Sequence, residues 1–154
     1  MRKYIHAGSM EFNPDKFEEI RNRMMFVKPF GGFWASAIDH EYPWMKWCED
    51  NDFAIDTLST VFEFSIVDEA RICRIDSVSE LHKIGRLYPG TSLFPMENGI
   101  ASIAGSVMLD FEKLARDFDA IEVVISSDYG LYHALYGWDC DSILIFNKDI
   151  IKCL

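Results

Sequence analysis

The pattern of apolar and polar residues predicts an α+β domain in which a small β-sheet is flanked by short helices. Three observations carry this. Short runs rich in β-branched and aromatic residues, at 3–6, 60–67, 70–76, 121–125 and 142–146, have the composition of strands. Between them, the stretches 14–23, 43–50, 77–86 and 110–117 place apolar residues at helical spacing behind capping residues. No internal repeat and no linker divides the 154 residues, a length suited to one domain over 1–154.

Taken in order, the opening run 3–6 ends in a turn at Gly8-Ser9. Asn13 and Pro14 suit the cap and first turn of a helix over 14–23, with Phe17 and Ile20 facing inward. Residues 24–28 either continue that helix or form a strand, and Pro29 ends both. Gly31-Gly32 frees the backbone for a turn into a strand that begins Phe33-Trp34. Pro43 opens the next helix, on which Trp44, Trp47 and Cys48 share one face and read as core. The runs 60–67 and 70–76, separated by Asp68-Glu69, read as a hairpin in the centre of the sheet. Val78, Leu81 and Ile84 face inward from the helix 77–86. Residues 88–106, rich in Gly, Ser and Pro without a clean period, read as an irregular excursion able to cover a cleft. Phe111, Leu114 and Ala115 form the apolar side of the helix 110–117, and the last strand closes on Asn147-Lys148-Asp149 and Ile150-Ile151.

Composition narrows the class. Hydrophobic residues make up 49% of the chain, too many for disorder, yet no window approaches the roughly 18 consecutive apolar residues of a membrane span. The N-terminal residues lack an apolar signal core, so a cytoplasmic location and no membrane partner are expected. Cys48, Cys73, Cys140 and Cys153 contain no Cys-x-x-Cys pair, and His6, His40, His82 and His133 show no i, i+4 spacing; buried thiols are expected, with no metal and no disulfide framework. Asp and Glu number 25 against 15 Lys and Arg, a formal charge of −10 that repels phosphate backbones and argues against a nucleic-acid partner. Arg21, Arg23 and Lys28 are expected to be solvated surface.

Three segments carry residues suited to chemistry. In His6-Ala7-Gly8-Ser9, an imidazole able to bond a ribose hydroxyl precedes a bare backbone that a flat ligand can approach. In Gly31-Gly32-Phe33-Trp34-Ala35-Ser36, the adjacent aromatics point to opposite faces of a strand, so one can line a cleft while the other enters the core. Toward the C-terminus, Glu122 lies on one strand, and Asp139 and Asp141 precede another, where a carboxylate can hold a ribose hydroxyl or steady a developing cation.

The combination and order of these segments resemble the three motifs of the ADP-ribosyltransferase superfamily, including its poly(ADP-ribose) polymerase-like and bacterial toxin branches. His6-x-Gly8-Ser9 opens the chain, a Gly-rich turn leads into aromatic-aromatic-Ala35-Ser36, and the chain closes on Phe146-Asn147-x-Asp149-x-Ile151. The resemblance spans roughly half the chain, at its two ends. It implies a small split sheet gripping NAD in a central cleft, with no metal, in a protein of the accessory, toxin or defence-related kind found in bacteria and their viruses. By the resemblance His6 holds the ribose beside nicotinamide, the Gly8 main chain holds the carboxamide, and Ser9 adds a ribose or phosphate contact. Phe33 stacks on the nicotinamide, Trp34 backs it from the core, and Ser36 stands at the cleft edge. Ser142 occupies the usual position of the catalytic Glu, with Asp141 one residue earlier. A one-residue slip on a strand reverses a side chain, so Asp141 replaces that Glu only across a bulge; Asp139 and Glu122 are the other candidate acids. The implied activity is ADP-ribose transfer to a protein or nucleic-acid acceptor, or NAD hydrolysis. The alternative is an inactive module on the same fold that binds a nucleotide or a protein target.

Overall fold

The computed structural model describes residues 1–91 and 94–154. In chain order the elements are β1 (Lys3–Ala7), β2 (Phe33–Ala37), α1 (Trp44–Asn51), β3 (Val61–Ile66), β4 (Ile72–Ile75), α2 (Val78–Leu87), β5 (Met96–Glu97), β6 (Ile100–Ile103), β7 (Ser106–Val107), α3 (Phe111–Asp117), β8 (Ala120–Val123), α4 (Gly130–Ala134), β9 (Ser142–Ile145) and β10 (Ile151–Cys153). This is α+β: a mixed seven-stranded sheet in the order β10-β3-β1-β2-β9-β8-β4, a small sheet β5-β6-β7, and short helices.

The helices form where caps and apolar spacing agree. The Ser77 side chain accepts from the Glu80 N–H at the start of α2, and Asp110 accepts from Lys113 N–H at the start of α3. Leu81 and Ile84 of α2, Phe111 and Leu114 of α3 and Leu131 of α4 then pack with Cys73, Ile75, Ile121, Val123, Leu144 and Trp138 on one face of the sheet. The opposite face gathers Tyr4, Phe64, Ile66, Ala35, Ala37, Ala120, Ile143, Ile145 and Ile150. Because both faces are covered, β8 and β9 are buried at every position.

Three expectations change. The stretch 14–23 holds a single 3₁₀ turn at Pro14–Lys16, and from Phe17 to Gly32 the chain forms neither helix nor strand: Arg21 and Phe30 exchange backbone hydrogen bonds, and Gly32 N–H donates to the Glu18 carbonyl at 2.8 Å. Those long-range partners take the backbone groups that a longer helix would have used. β3 and β4 are not a hairpin. β4 pairs in parallel with β8 at one edge of the sheet, while β3 lies between β1 and β10 near the other. The described part of 88–106 contains β5, β6 and the start of β7, and Ile100, with Val107 just beyond the range, packs into the helix-side core rather than over a cleft; Ser92 and Leu93 of that range lie outside the described residues. In the large sheet β2 runs between β1 and β9.

The pairing of β2 shapes the site. Its first half, Phe33 to Ala35, pairs with β9, whereas β1 meets only its second half, at Tyr4↔Ala37 and Ile5↔Ser36. Every residue of β1 is paired with β3 on the other side. Beyond Ile5 the two strands therefore part, and the sheet opens between them. Gly31 and Gly32, both at positive φ, allow the close approach of β2 to β9: a Cβ on Gly32 would stand 2.6 Å from Leu144 Cδ1 and 2.9 Å from the Ile145 carbonyl oxygen.

Candidate functional site

A cavity of about 330 Å³ lies at this opening, lined by Ile5, His6 and Ala7 of β1, Trp34, Ala35 and Ser36 of β2, Trp44 and Met45 of α1, Lys28, and the segment Asp139, Cys140, Ser142. Its walls are mostly apolar with a few polar groups, the usual make-up of a small-ligand site. Trp34 packs edge-on to Trp138, with ring centroids 4.9 Å apart, while Trp44 stacks on Trp47 at 5.1 Å, and Phe53 meets both of the latter rings edge-on. Expected as core, Trp44 and Trp47 are only half-buried; Cys48 alone of that face is fully buried.

His6 spans the parting of the strands. Its Nδ1 lies 2.7 Å from the Trp34 carbonyl oxygen, so Nδ1 carries the proton and donates it. Burial pushes the imidazole below its ordinary value of 6.5, against the opposing pull of that hydrogen bond. The ring is thus neutral at pH 7, and Nε2 is a free acceptor with no protein partner among the described residues. It faces the Gly8 turn, where a Cβ would lie 3.9 Å away.

The other expected site residues divide. Trp34, Ser36, Ser142 and Asp139 line the cavity with His6. Ser36 is 1% exposed and largely structural: its Oγ donates to the Asp141 carbonyl at 2.8 Å and accepts from Trp44 N–H at 3.0 Å, which fixes the start of α1 against β2. Ser142 Oγ donates to the Cys140 carbonyl at 3.3 Å. Phe33 does not line the cavity. It points through the opposite face, stacks on the His6 ring at 4.4 Å and meets Phe12, Phe62 and Phe64, so Trp34 is the aromatic turned toward the cavity. Gly8, at φ +115°, donates its N–H to the Thr60 carbonyl, and Ser9 Oγ donates to the Glu11 carbonyl; neither borders the cavity.

Asp141 and Glu122 are turned elsewhere. Ser142 begins β9 without a bulge, so strand alternation sends Asp141 away from the cavity. Its carboxylate is fully buried and accepts from Ser126 N–H at 2.8 Å, Ser126 Oγ at 2.6 Å and Tyr42 N–H at 2.9 Å. Glu122, 2% exposed, takes Arg2 Nη1 at 2.7 Å and His40 Nε2 at 2.8 Å on one oxygen, and Arg74 Nη1 at 3.2 Å on the other. Burial alone would raise the Glu122 carboxyl; the His40 hydrogen bond and the neighbouring charges, Arg2 first among the cations, bring it below its ordinary value. His40 is equally committed, since its Nδ1 accepts from Ala37 N–H at 3.0 Å. Asp139 is therefore the only carboxylate among the described lining residues.

Two titratable lining residues, Cys140 and Lys28, lie outside the set that the sequence pointed to. Cys140 meets the cavity as a thiol that burial pushes up to about 12, so it is protonated and a poor nucleophile. Lys28, expected with Arg21 and Arg23 to be solvated surface, instead borders the cavity, and only its position before Pro29 and the glycine turn hints at this. Among the described residues no group of three or more His, Cys, Asp or Glu side chains is placed to hold a metal ion, and no helix is long and apolar enough to cross a membrane. No family model matches the chain, and neither a curated protein nor a solved structure does.

Proposed function

We propose that the cavity takes the nicotinamide-ribose half of NAD and that the chain is an ADP-ribosyltransferase-like protein. The observation that carries this reading is the parting of β1 and β2 at His6, with a neutral imidazole across the gap and an aromatic-walled cavity beside it. The resemblance of the end segments to that superfamily, which implies a split sheet around NAD, supports it independently. On this reading the nicotinamide ring lies against Trp34 and Trp44, the aromatic residues of the cavity wall. His6 Nε2 accepts from a ribose hydroxyl, and its neutrality avoids placing a charge against the positive nicotinamide ring. As the nicotinamide-ribose bond loosens, positive charge grows on the sugar, and this reading gives the task of offsetting it to Asp139, the carboxylate of the described lining. Water, a protein side chain or a base then takes the ribose carbon.

One observation favours the second reading, an inactive nucleotide- or protein-binding module. Ser142, at the position the resemblance gives to the catalytic Glu, faces the cavity and brings no charge. Incubation with NAD, followed by chromatography for nicotinamide and a thermal-shift measurement, separates the two. NAD is expected to raise the melting temperature of the wild type and not that of His6→Ala, whose own fold persists. Asp139→Asn is expected to keep the shift and lose nicotinamide release. A shift without release in the wild type selects the binding module, and no shift at all overturns the nucleotide site.

A further inference from the structure

Lys28 differs from every other cation near the cavity. Its side chain is half-buried, its Nζ lies 5.2 Å from the centroid of the Trp34 ring, and it lines the cavity beside Cys140. Acids outnumber Lys and Arg by 25 to 15, yet among the described residues no carboxylate pairs with the Lys28 ammonium, Asp139 across the same cavity included. The nearby arginines are differently placed: the Arg23 guanidinium lies 4.0 Å over the Phe26 ring and 4.5 Å over that of Phe30, and Arg21 sits exposed where the backbone pairs with Phe30.

The position of Lys28 is also fixed by the fold. The Trp138 indole N–H donates to the Val27 carbonyl at 3.1 Å, Pro29 is buried, and Phe30 is paired to Arg21, so both flanks of Lys28 are anchored although the tip at Met24 to Phe26 is exposed. A partly desolvated ammonium with free donors, held at an apolar cavity, is a site for an anionic group, because the charge-assisted hydrogen bond it can form meets little competition from water.

We infer that Lys28 is the phosphate-recognising residue of this cavity, taking the pyrophosphate of a nucleotide whose ring and sugar lie between Trp34, Trp44 and His6. The inference rests on the nucleotide reading above and deepens it. The ligand class is a phosphorylated nucleoside, and the contact discriminates it from the bare nucleoside. In a protein of formal charge −10, this single cation also supplies the local attraction that a phosphate needs.

Calorimetric titration of the wild type, Lys28→Met and Lys28→Arg tests it, with NAD and with nicotinamide riboside, which keeps the ring and sugar but has no phosphate. Lys28→Met keeps the aliphatic contact with Trp34 and removes only the charge. It is expected to weaken NAD roughly tenfold to a hundredfold and leave the riboside unchanged, while Lys28→Arg retains most of the NAD affinity. Raising the salt concentration weakens NAD in the wild type more than in Lys28→Met. Equal NAD affinity in wild type and Lys28→Met overturns the assignment and leaves the nucleotide site standing. Loss of NAD and riboside together in Lys28→Met also overturns it, pointing to a packing role. A wild type that binds neither ligand sinks the site and this contact alike.

Discussion

The cavity at the parting of β1 and β2 and the charge knot around Glu122 lie on the same sheet, and they differ in how their polar atoms are used. In the knot nearly every donor has an acceptor: Glu122 takes Arg2, His40 and Arg74, Arg2 also reaches Asp39, and His40 uses both ring nitrogens. Nearby, Asp141 accepts three hydrogen bonds. At the cavity, His6 Nε2 and the Lys28 ammonium have no partner among the described residues. Acidic and basic residues alone do not mark a site; unspent hydrogen-bonding capacity at a concave surface does.

Three perturbations break or sharpen this contrast. The largest effect is expected from Glu122→Ala, which leaves Arg2, Arg74 and the His40 N–H without their shared acceptor and costs about 3–5 kcal/mol of stability by urea unfolding. A loss below about 1 kcal/mol would show that the knot is dispensable. Asp141→Ala leaves three part-buried donors, Tyr42 N–H, Ser126 N–H and Ser126 Oγ, without their acceptor and is expected to cost about 2–3 kcal/mol, while the melting-temperature increase caused by NAD survives. An intact fold that has lost its NAD response would instead return Asp141 to the cavity's chemistry.

The smallest effect concerns acid. Burial opposes ionisation of Asp119, but hydrogen bonds from Arg71, side chain and backbone, and from Asn147 carry its carboxyl down from 3.8 to about 2. A depressed carboxyl stabilises the fold fully above its unfolded value, and that contribution fades as the pH falls from 3.8 through about 2. In Arg71→Ala, NMR titration should find Asp119 nearer 3.8. A value still close to 2 would assign the effect to Asn147 and the backbone.

Much of the fold is legible where local chemistry decides it. Ser77 and Asp110 announce α2 and α3 through their caps, and Gly31-Gly32 announces the turn into β2, since a side chain at Gly31 would meet the Glu19 backbone and one at Gly32 would meet β9. The parity of Asp141 and Ser142 is equally readable, since strand alternation allows only one to face the cavity. Pairing is not legible. The break at Asp68-Glu69 signals a turn but cannot say that β4 will join β8, more than forty residues onward in the chain. Nor does the alternation of Phe33 and Trp34 say which ring faces the cavity; Trp138 on one side and Phe62 with Phe64 on the other decide it. Lys28 is hidden because its worth lies in the absence of a partner, which a sequence does not record.

β9 belongs to one side of the opened sheet and β10 to the other, and only residues 146–150 join them. That crossing is fastened along its length, with Phe146 and Asn147 N–H groups on the Asp119 carbonyl and Val67 N–H on that of Ile150. It acts as a tether of fixed length beneath a hinge whose pin is the short β1–β2 contact at Ser36 and Ala37. The width of the gap at His6 is then bounded by a short crossing whose residues do not line the cavity, and a longer crossing is expected to widen the gap without altering either side of it.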